Sequence, residues 1–387
     1  MRFWGILVKV LLCLVLAVVN ASCGPAQSIL IGVAVELTGK RAELGVEVRD
    51  AVLLAVEKLN QSDGVAGKTI QLLIKDDQGN PEVARQVDQE LIAAGVVAVV
   101  GHVTSEQTAA VLDQMNKAGV VLISPTSSSS EFTGKVDTFF RTVPANDMVG
   151  RMLARYMVET RQIHELVGVY DLNNRSFTET FWKYLRDEFE QLGGKIAADI
   201  PFYSGQDELP VVAGQAASLA PQAVVIIASA VDTALVVQYF RQVNQSAAIF
   251  SSTWAQTSQL LEKGGRVIEG LELAAVYDPQ EQSQSYLGFV SLFEQRYHRL
   301  PGLGASHAFE AVIALSHALE ETGGTKAGLP EALTAIKSLP GLQDDISFDE
   351  FGDVQRDVYI VKVQDGQFVT VGKVDSYSIF MPKALTP

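Results

Sequence analysis

The chain has 387 residues, 48% of them hydrophobic and 19% charged, and a formal net charge of −15 at pH 7. That mix supplies core material for two domains of ordinary size and excludes a disordered chain. The acidic balance repels a phosphate backbone and so argues against nucleic acid as a partner.

The first 23 residues read as an export signal. Arg2 and Lys9 precede an unbroken apolar run over 10–19, and the small residues Ala21, Ser22, Cys23 and Gly24 follow it. The run is too short for a bilayer span, which takes about 20 residues. No second long apolar run occurs, so the mature chain is expected to carry no membrane span. The cysteines are Cys13, inside the signal, and Cys23. One remaining cysteine closes no internal disulfide, which suits Cys23 to an anchoring role. Ala21-Ser22-Cys23 resembles the lipobox of bacterial lipoproteins, although Asn20 stands where Leu is usual. That resemblance implies a lipid on Cys23, with secretion of an unanchored protein as the alternative.

From residue 28 strands and helices alternate. Residues 29–35 are a short β-branched apolar run, and 46–59 carries Val48, Val52, Ala55, Val56 and Leu59 at helical spacing. Residues 70–74 predict a strand, 81–94 a helix opened by Pro81, 96–100 a strand, 107–117 a helix and 120–123 a strand. The pattern then restarts with helix 147–159, strand 166–170 and helix 177–192, which Gly193-Gly194 stops. Strands follow at 195–200, 223–228 and 248–251, separated by helices 210–219 and 233–243. Residues 273–279 read as a turn, 304–321 as a long helix, and 358–363 with 368–373 as a hairpin about Asp365-Gly366. Two successive sets of this kind predict an α/β fold of two similar lobes, each a mostly parallel sheet with helices on both faces. Thr142-Val143-Pro144 is the first candidate crossover between them.

Residue types that carry catalysis are not grouped. His102, His164, His298, His307 and His317 fall at no zinc-motif spacing, and no cysteine pair assists them. Neither a nucleophile elbow nor a phosphate loop occurs, and Gly302-Leu303-Gly304 lacks the preceding strand of a dinucleotide fingerprint. The chain is therefore read as a binder that does no chemistry, with no metal and no cofactor.

Two loops suit an anion. Residues 101–107 and 124–131 both follow apolar strands, which puts both at the carboxyl edge of one sheet, where open α/β sheets bind ligands. Thr104 with Gln107, and Ser128 with Glu131, have capping-box spacing. Helix N-termini expose unpaired N–H groups, and the hydroxyls of Thr104, Ser105, Thr126, Ser127 and Ser128 add donors that rotate to suit a carboxylate. Helix capping alone is the competing reading of these hydroxyls.

A set of short segments, taken in order and spacing, carries a family resemblance. They are Ile31-Gly32-Val33 with Thr38-Gly39, Asp76-Asp77 with Pro81, Val100-Gly101-His102 with Ser105, Ile123-Ser124-Pro125, Phe140-Arg141-Thr142, and Phe348-Asp349 with Gly352-Asp353. From 28 to 373 the chain resembles the branched-chain amino-acid-binding proteins of ABC importers, the Leu/Ile/Val-binding type I periplasmic fold. The resemblance implies a monomer of two lobes, 27–143 with 275–356 and 144–274 with 357–385, joined by three hinge crossovers. It implies closure on a small-molecule ligand and delivery to a membrane permease. Ser105, Thr126 and Ser128 stand where the family holds the ligand's α-carboxylate.

The other end departs from the family. Leu44 stands before Gly45 where Tyr is frequent, Arg175 where an aromatic is found, and Trp254 where an acid takes the ammonium. An Arg175 in the cleft would favour a second anionic group. Trp254 would stack on an apolar ligand or face a cation, and Asp232 is the candidate replacement acid. A solvated Arg175, a core Trp254 and an exposed Asp232 are the competing readings. Gly79 and Thr104 occupy the positions of the family's disulfide. The expectation is an extracytoplasmic importer subunit that captures a small carboxylate-bearing ligand, an amino acid or a related organic acid, of a kind other than Leu, Ile or Val. A sensory subunit for a membrane receptor or kinase, and a cell-envelope hydrolase, are the alternatives.

Overall fold

The computed structural model describes residues 28–39 and 42–374. The export-signal and Cys23 readings, and residues 375–385 of the second lobe, lie outside that range.

Five strands form the first sheet: β1 (Ile29–Val35), β2 (Ile70–Asp76), β3 (Ala98–Gly101), β4 (Val121–Ser124) and β5 (Phe139–Arg141). Their order is β2-β1-β3-β4-β5, and every pairing is parallel. β1 and β3 read as unbroken apolar runs because helices cover both faces, and both strands are almost wholly buried. The covering helices are α1 (Ala42–Gln61), α2 (Pro81–Ala93) and α3 (Ser105–Ala118). Asn80 caps α2 by accepting from the N–H groups of Glu82 and Val83, and Gly119 ends α3 in the left-handed conformation.

The second sheet has seven strands: β6 (Glu165–Asp171), β7 (Lys195–Phe202), β8 (Ala223–Ile227), β9 (Ala248–Ser251), β10 (Glu272–Ala275), β11 (Val358–Gln364) and β12 (Gln367–Val374). Their order is β12-β11-β10-β9-β8-β6-β7, parallel from β7 to β10 and antiparallel beyond. Its helices are α4 (Asn146–Arg155), α5 (Arg175–Gln191), α6 (Leu209–Ser218), α7 (Ala230–Val243) and α8 (Ser258–Gly264). The predicted hairpin forms: Gln364 pairs Gln367 across a two-residue turn, and Asp365 and Gly366 both take positive φ, as such a turn requires.

Between β10 and β11 the chain returns to the first sheet as α9 (Gln284–Tyr297), α10 (Leu303–Glu321) and α11 (Leu329–Thr334), with α10 packed along α1 and against β3 and β4. The polypeptide therefore passes between the halves three times: after Arg141, after Ala275 and before Val358. Buried contacts brace these crossings. The Thr142 hydroxyl donates to the His307 carbonyl at 3.0 Å, and Arg356 pairs with Glu310 of the same helix at 2.6 Å. Burial holds the His307 imidazole below its usual pKa, against the opposing pull of Glu310.

Several elements differ from expectation. Residues 272–275 are a strand, not a turn: Glu-Leu-Ala-Ala has weak strand propensity, and pairing with β9 and β11 decides it. β5, α8, α9 and α11 were not expected at all. For α9 the signal was present, since Tyr286, Phe289 and Phe293 follow helical spacing and all are buried. The helix expected over 147–159 ends at Arg155 and closes in a π turn at Tyr156–Thr160.

Candidate functional site

Two loops leave the carboxyl edge of the first sheet and face the second half. The first begins at Gly101, whose φ of +145° and close approach to the Ala34 carbonyl leave no room for a Cβ. Next comes His102, fully buried, with Nδ1 2.6 Å from Asp77 and Nε2 3.3 Å from Asp88. Burial pushes its pKa down. The Asp88 charge, and the hydrogen bonds to both carboxylates, outweigh that and raise it to about 10. The His102 carbonyl in turn accepts from the hydroxyls of Ser124 (2.7 Å) and Ser127 (3.0 Å), which ties the second loop to the first.

Neither expected capping box forms. Thr104 sits at the N-cap of α3 but makes no side-chain cap bond, and its Oγ1 is buried without a partner. The Glu106 N–H is satisfied instead by Asn174 Oδ1 of the second half at 3.2 Å. In the second loop the cap is Ser129, which accepts from the Glu131 N–H and opens only a three-residue 3₁₀ turn. That leaves the Ser128 Oγ buried and unpartnered as well.

Proton accounting separates the five hydroxyls. Thr126 donates to the Val103 carbonyl at 2.7 Å, and Ser127 donates to that of His102. Their protons are spent on the fold. Among the described residues Ser105 only accepts, from the Ser129 N–H at 3.2 Å, so its proton remains available. Thr104, Ser105 and Ser128 are thus the hydroxyls with a donor to offer an anion.

The second half contributes a different surface. Arg175 is exposed and pairs with Glu179 on its own helix at 2.9 Å. Asp232 is buried rather than exposed, and its Oδ2 accepts from Ser204 (2.6 Å) and Ser229 (3.0 Å). Trp254 packs edge-to-face on Phe177, with centroids 6.0 Å apart. With Leu44 it lines a cavity of about 20 Å³ between the halves. A second cavity, of about 10 Å³, is lined by Ser128, Thr126 and Asn146 on one side and by Val149, Phe177, Phe181, Thr253, Val276 and Leu303 around it. It has room for about one water, so the cleft is shut and admits a solute only by opening. Phe177, Phe181 and Val276 escaped sequence reasoning because apolar side chains look like core, and Thr253 because a lone hydroxyl carries no motif.

Three acids latch the closed cleft. Glu43 accepts from the hydroxyls of Thr257 (2.5 Å) and Ser258 (2.6 Å). Glu106 accepts from the Ser176 N–H at 3.0 Å, and Glu131 from the Ser176 hydroxyl at 3.0 Å. All these bonds join the halves.

Behind the latch Glu47 lies buried under the N-terminus of α10. Burial and the Glu43 charge push its pKa up to about 7, against Arg299 and the N–H groups of Ala305 and Gly304. For an acid with a raised folded pKa, the stabilising contribution is full below the unfolded value of 4.5 and is lost as pH rises through about 7. Glu47→Gln is therefore expected to remove about 3 kcal/mol of stability change between pH 4.5 and 7.5. Urea unfolding of both proteins at those two pH values checks this, and parallel pH curves would refute it. Among the described residues no cluster suited to a metal occurs, and no helix is long and apolar enough to cross a membrane.

Known proteins share this arrangement. A family model described as periplasmic binding protein matches residues 28–367. The leucine-, isoleucine-, valine-, threonine- and alanine-binding protein of Pseudomonas aeruginosa is 24% identical over 333 residues, covering 86% of this chain and 88% of that protein. A leucine-binding protein of Thermotoga maritima superposes with a TM-score of 0.85 at 21% identity, covering 90% and 99% of the two chains. A Rhodopseudomonas palustris solute-binding protein solved with benzoate gives 0.82 at 20% identity, covering 90% and 96%. Two mostly parallel sheets, three crossings and a cleft at their carboxyl edges are the two-lobed type I periplasmic-binding fold, and the chain belongs to the periplasmic binding protein family.

Proposed function

We propose that this protein is an extracytoplasmic solute-binding subunit. It captures a small carboxylate-bearing ligand between its lobes, closes about the three crossings and delivers the ligand to the permease of an ABC importer, without acting on it chemically. The observation that carries this reading is Ser128: a buried hydroxyl with no partner, lining a cavity between the lobes. An unmade hydrogen bond at a buried polar group costs stability, so its retention there points to a ligand that makes the bond. Ser105 and Thr104 flank it with protons to donate, while Thr126 and Ser127 shape the loop. The relatives' ligands agree in kind, since the solutes in their names, amino acids and benzoate, share a carboxylate.

Further parts of the reading follow from it. Lobe one comprises 27–143 and 275–356, lobe two 144–274 and 357–385. Leu44 and Trp254 border the ligand, whereas Arg175 and Asp232 are turned to their own lobe. The protein acts as a monomer, tethered by a lipid on Cys23. A thermal-shift screen of amino acids, amides and aliphatic, aromatic and dicarboxylic acids tests capture. Ligand at about 100 times its Kd adds about 2.7 kcal/mol of stability. A set of carboxylates that leaves the melting temperature unchanged would sink the reading.

A further inference from the structure

We propose that the ligand is a monocarboxylic acid with an apolar body and no ammonium group, and that Thr253 is the second-lobe residue that holds its carboxylate opposite Ser128. This rests on the carboxylate-capture reading above and narrows it to a substrate class.

Seven of the residues around the inter-lobe cavity are apolar, and Val149, Phe177, Phe181, Val276 and Leu303 supply most of that surface's bulk. Two hydroxyls with buried, unpartnered oxygens line the same space, Ser128 from the first lobe and Thr253 from the second. The other polar side chains on its wall are committed. Thr126 donates to Val103, while Asn146 donates to the Phe177 carbonyl and Thr180 and accepts from the Ser130 N–H. Two free O–H donors, one from each lobe, suit the two oxygens of one anion, and a carboxylate bound by both would hold the lobes together.

Among the described residues no acid lines this cavity, so an ammonium finds no counterpart in its wall. The acids at the junction lie outside this wall, where Glu43 accepts from Thr257 and Ser258, Glu106 and Glu131 from Ser176, and Asp232 from Ser204 and Ser229. A cation carried into this apolar space would lose its hydration with no opposite charge in the wall to replace it. The apolar walls instead reward an aliphatic or aromatic body.

Calorimetric titration of the full chain with matched probes decides the matter: 4-methylpentanoate against leucine, 3-phenylpropanoate against phenylalanine, and 2-phenylethylamine as the amine lacking a carboxylate. The acids are expected to bind at least about tenfold more tightly than the amino acids, and the amine not at all. Thr253→Val should weaken the better acid about tenfold, and Thr253→Ser, which keeps the hydroxyl, should bind like wild type. Amino acids binding as tightly as their deaminated partners would overturn the ligand class and leave carboxylate capture standing. Binding of neither series, or of the amine alone, would overturn both. Unchanged acid affinity in Thr253→Val would remove Thr253 from the site.

Discussion

His102→Ala is expected to cost about 3–5 kcal/mol of unfolding free energy at pH 6.5, the range for removing one partner of a buried ion pair. Asp77 and Asp88 are both fully buried, and without the imidazolium they face each other with no cation between them. The carbonyl that receives Ser124 and Ser127 sits on the same residue, so the loss extends to both loops of the cleft. The pH dependence is distinctive. A histidine whose folded pKa is raised contributes its stabilisation fully below the unfolded value of 6.5, and loses it as pH rises through about 10. Wild type and variant should therefore converge between pH 6.5 and 10. Urea unfolding at pH 6.5, 8 and 10 measures the gap. A gap below about 1 kcal/mol at pH 6.5, or one that stays constant with pH, would show that the buried triad is not what holds this loop.

Ser105→Ala combined with Ser128→Ala is expected to weaken carboxylate binding at least about 100-fold, since each hydrogen bond to a charged group is worth about 1.5–3 kcal/mol. The unliganded protein should hardly notice the Ser128 change, because that hydroxyl has no partner to lose. Removing it can even stabilise the empty cleft, the usual exchange between function and stability at a binding site. Thr126→Val and Ser127→Ala should show the opposite pattern. Their protons serve the carbonyls of Val103 and His102, so their loss lowers the melting temperature first and affinity only through it. Isothermal titration with the acid giving the largest thermal shift, beside melting curves without ligand, separates the two classes. Full affinity in the double variant would place the carboxylate elsewhere.

The alternation of elements was legible because its signals are local. β1 and β3 are apolar runs bounded by polar loops, Pro81 and Gly193 mark helix ends, and Asp365-Gly366 accepts positive φ at both turn positions. Apart from α9, whose helical spacing was present, the misread elements lack such signals or depend on distant partners. β10 is a strand because β9 and β11 flank it, and β5 because it adds to the edge of β4. The loops around 101–107 and 124–131 were found for their hydroxyls, but the hydroxyls' partners could not be. Whether Thr104 caps α3 depends on Asn174, which lies 70 positions away in sequence and belongs to the other lobe.

By itself the sequence determined the class of fold, the place of the cleft at the strand ends and the hydroxyl chemistry of its first wall. These depend on hydrophobic period and on residue types within a few positions of one another. The tertiary structure decided which hydroxyls keep a proton to give, that His102 is buried between Asp77 and Asp88, that Asp232 is buried among serines, and that Thr253 shares a cavity with Ser128. Each of those depends on what a side chain meets across the fold, and burial turns that meeting into energy: a partner found is a hydrogen bond spent, and a partner missing is a site left open for a ligand.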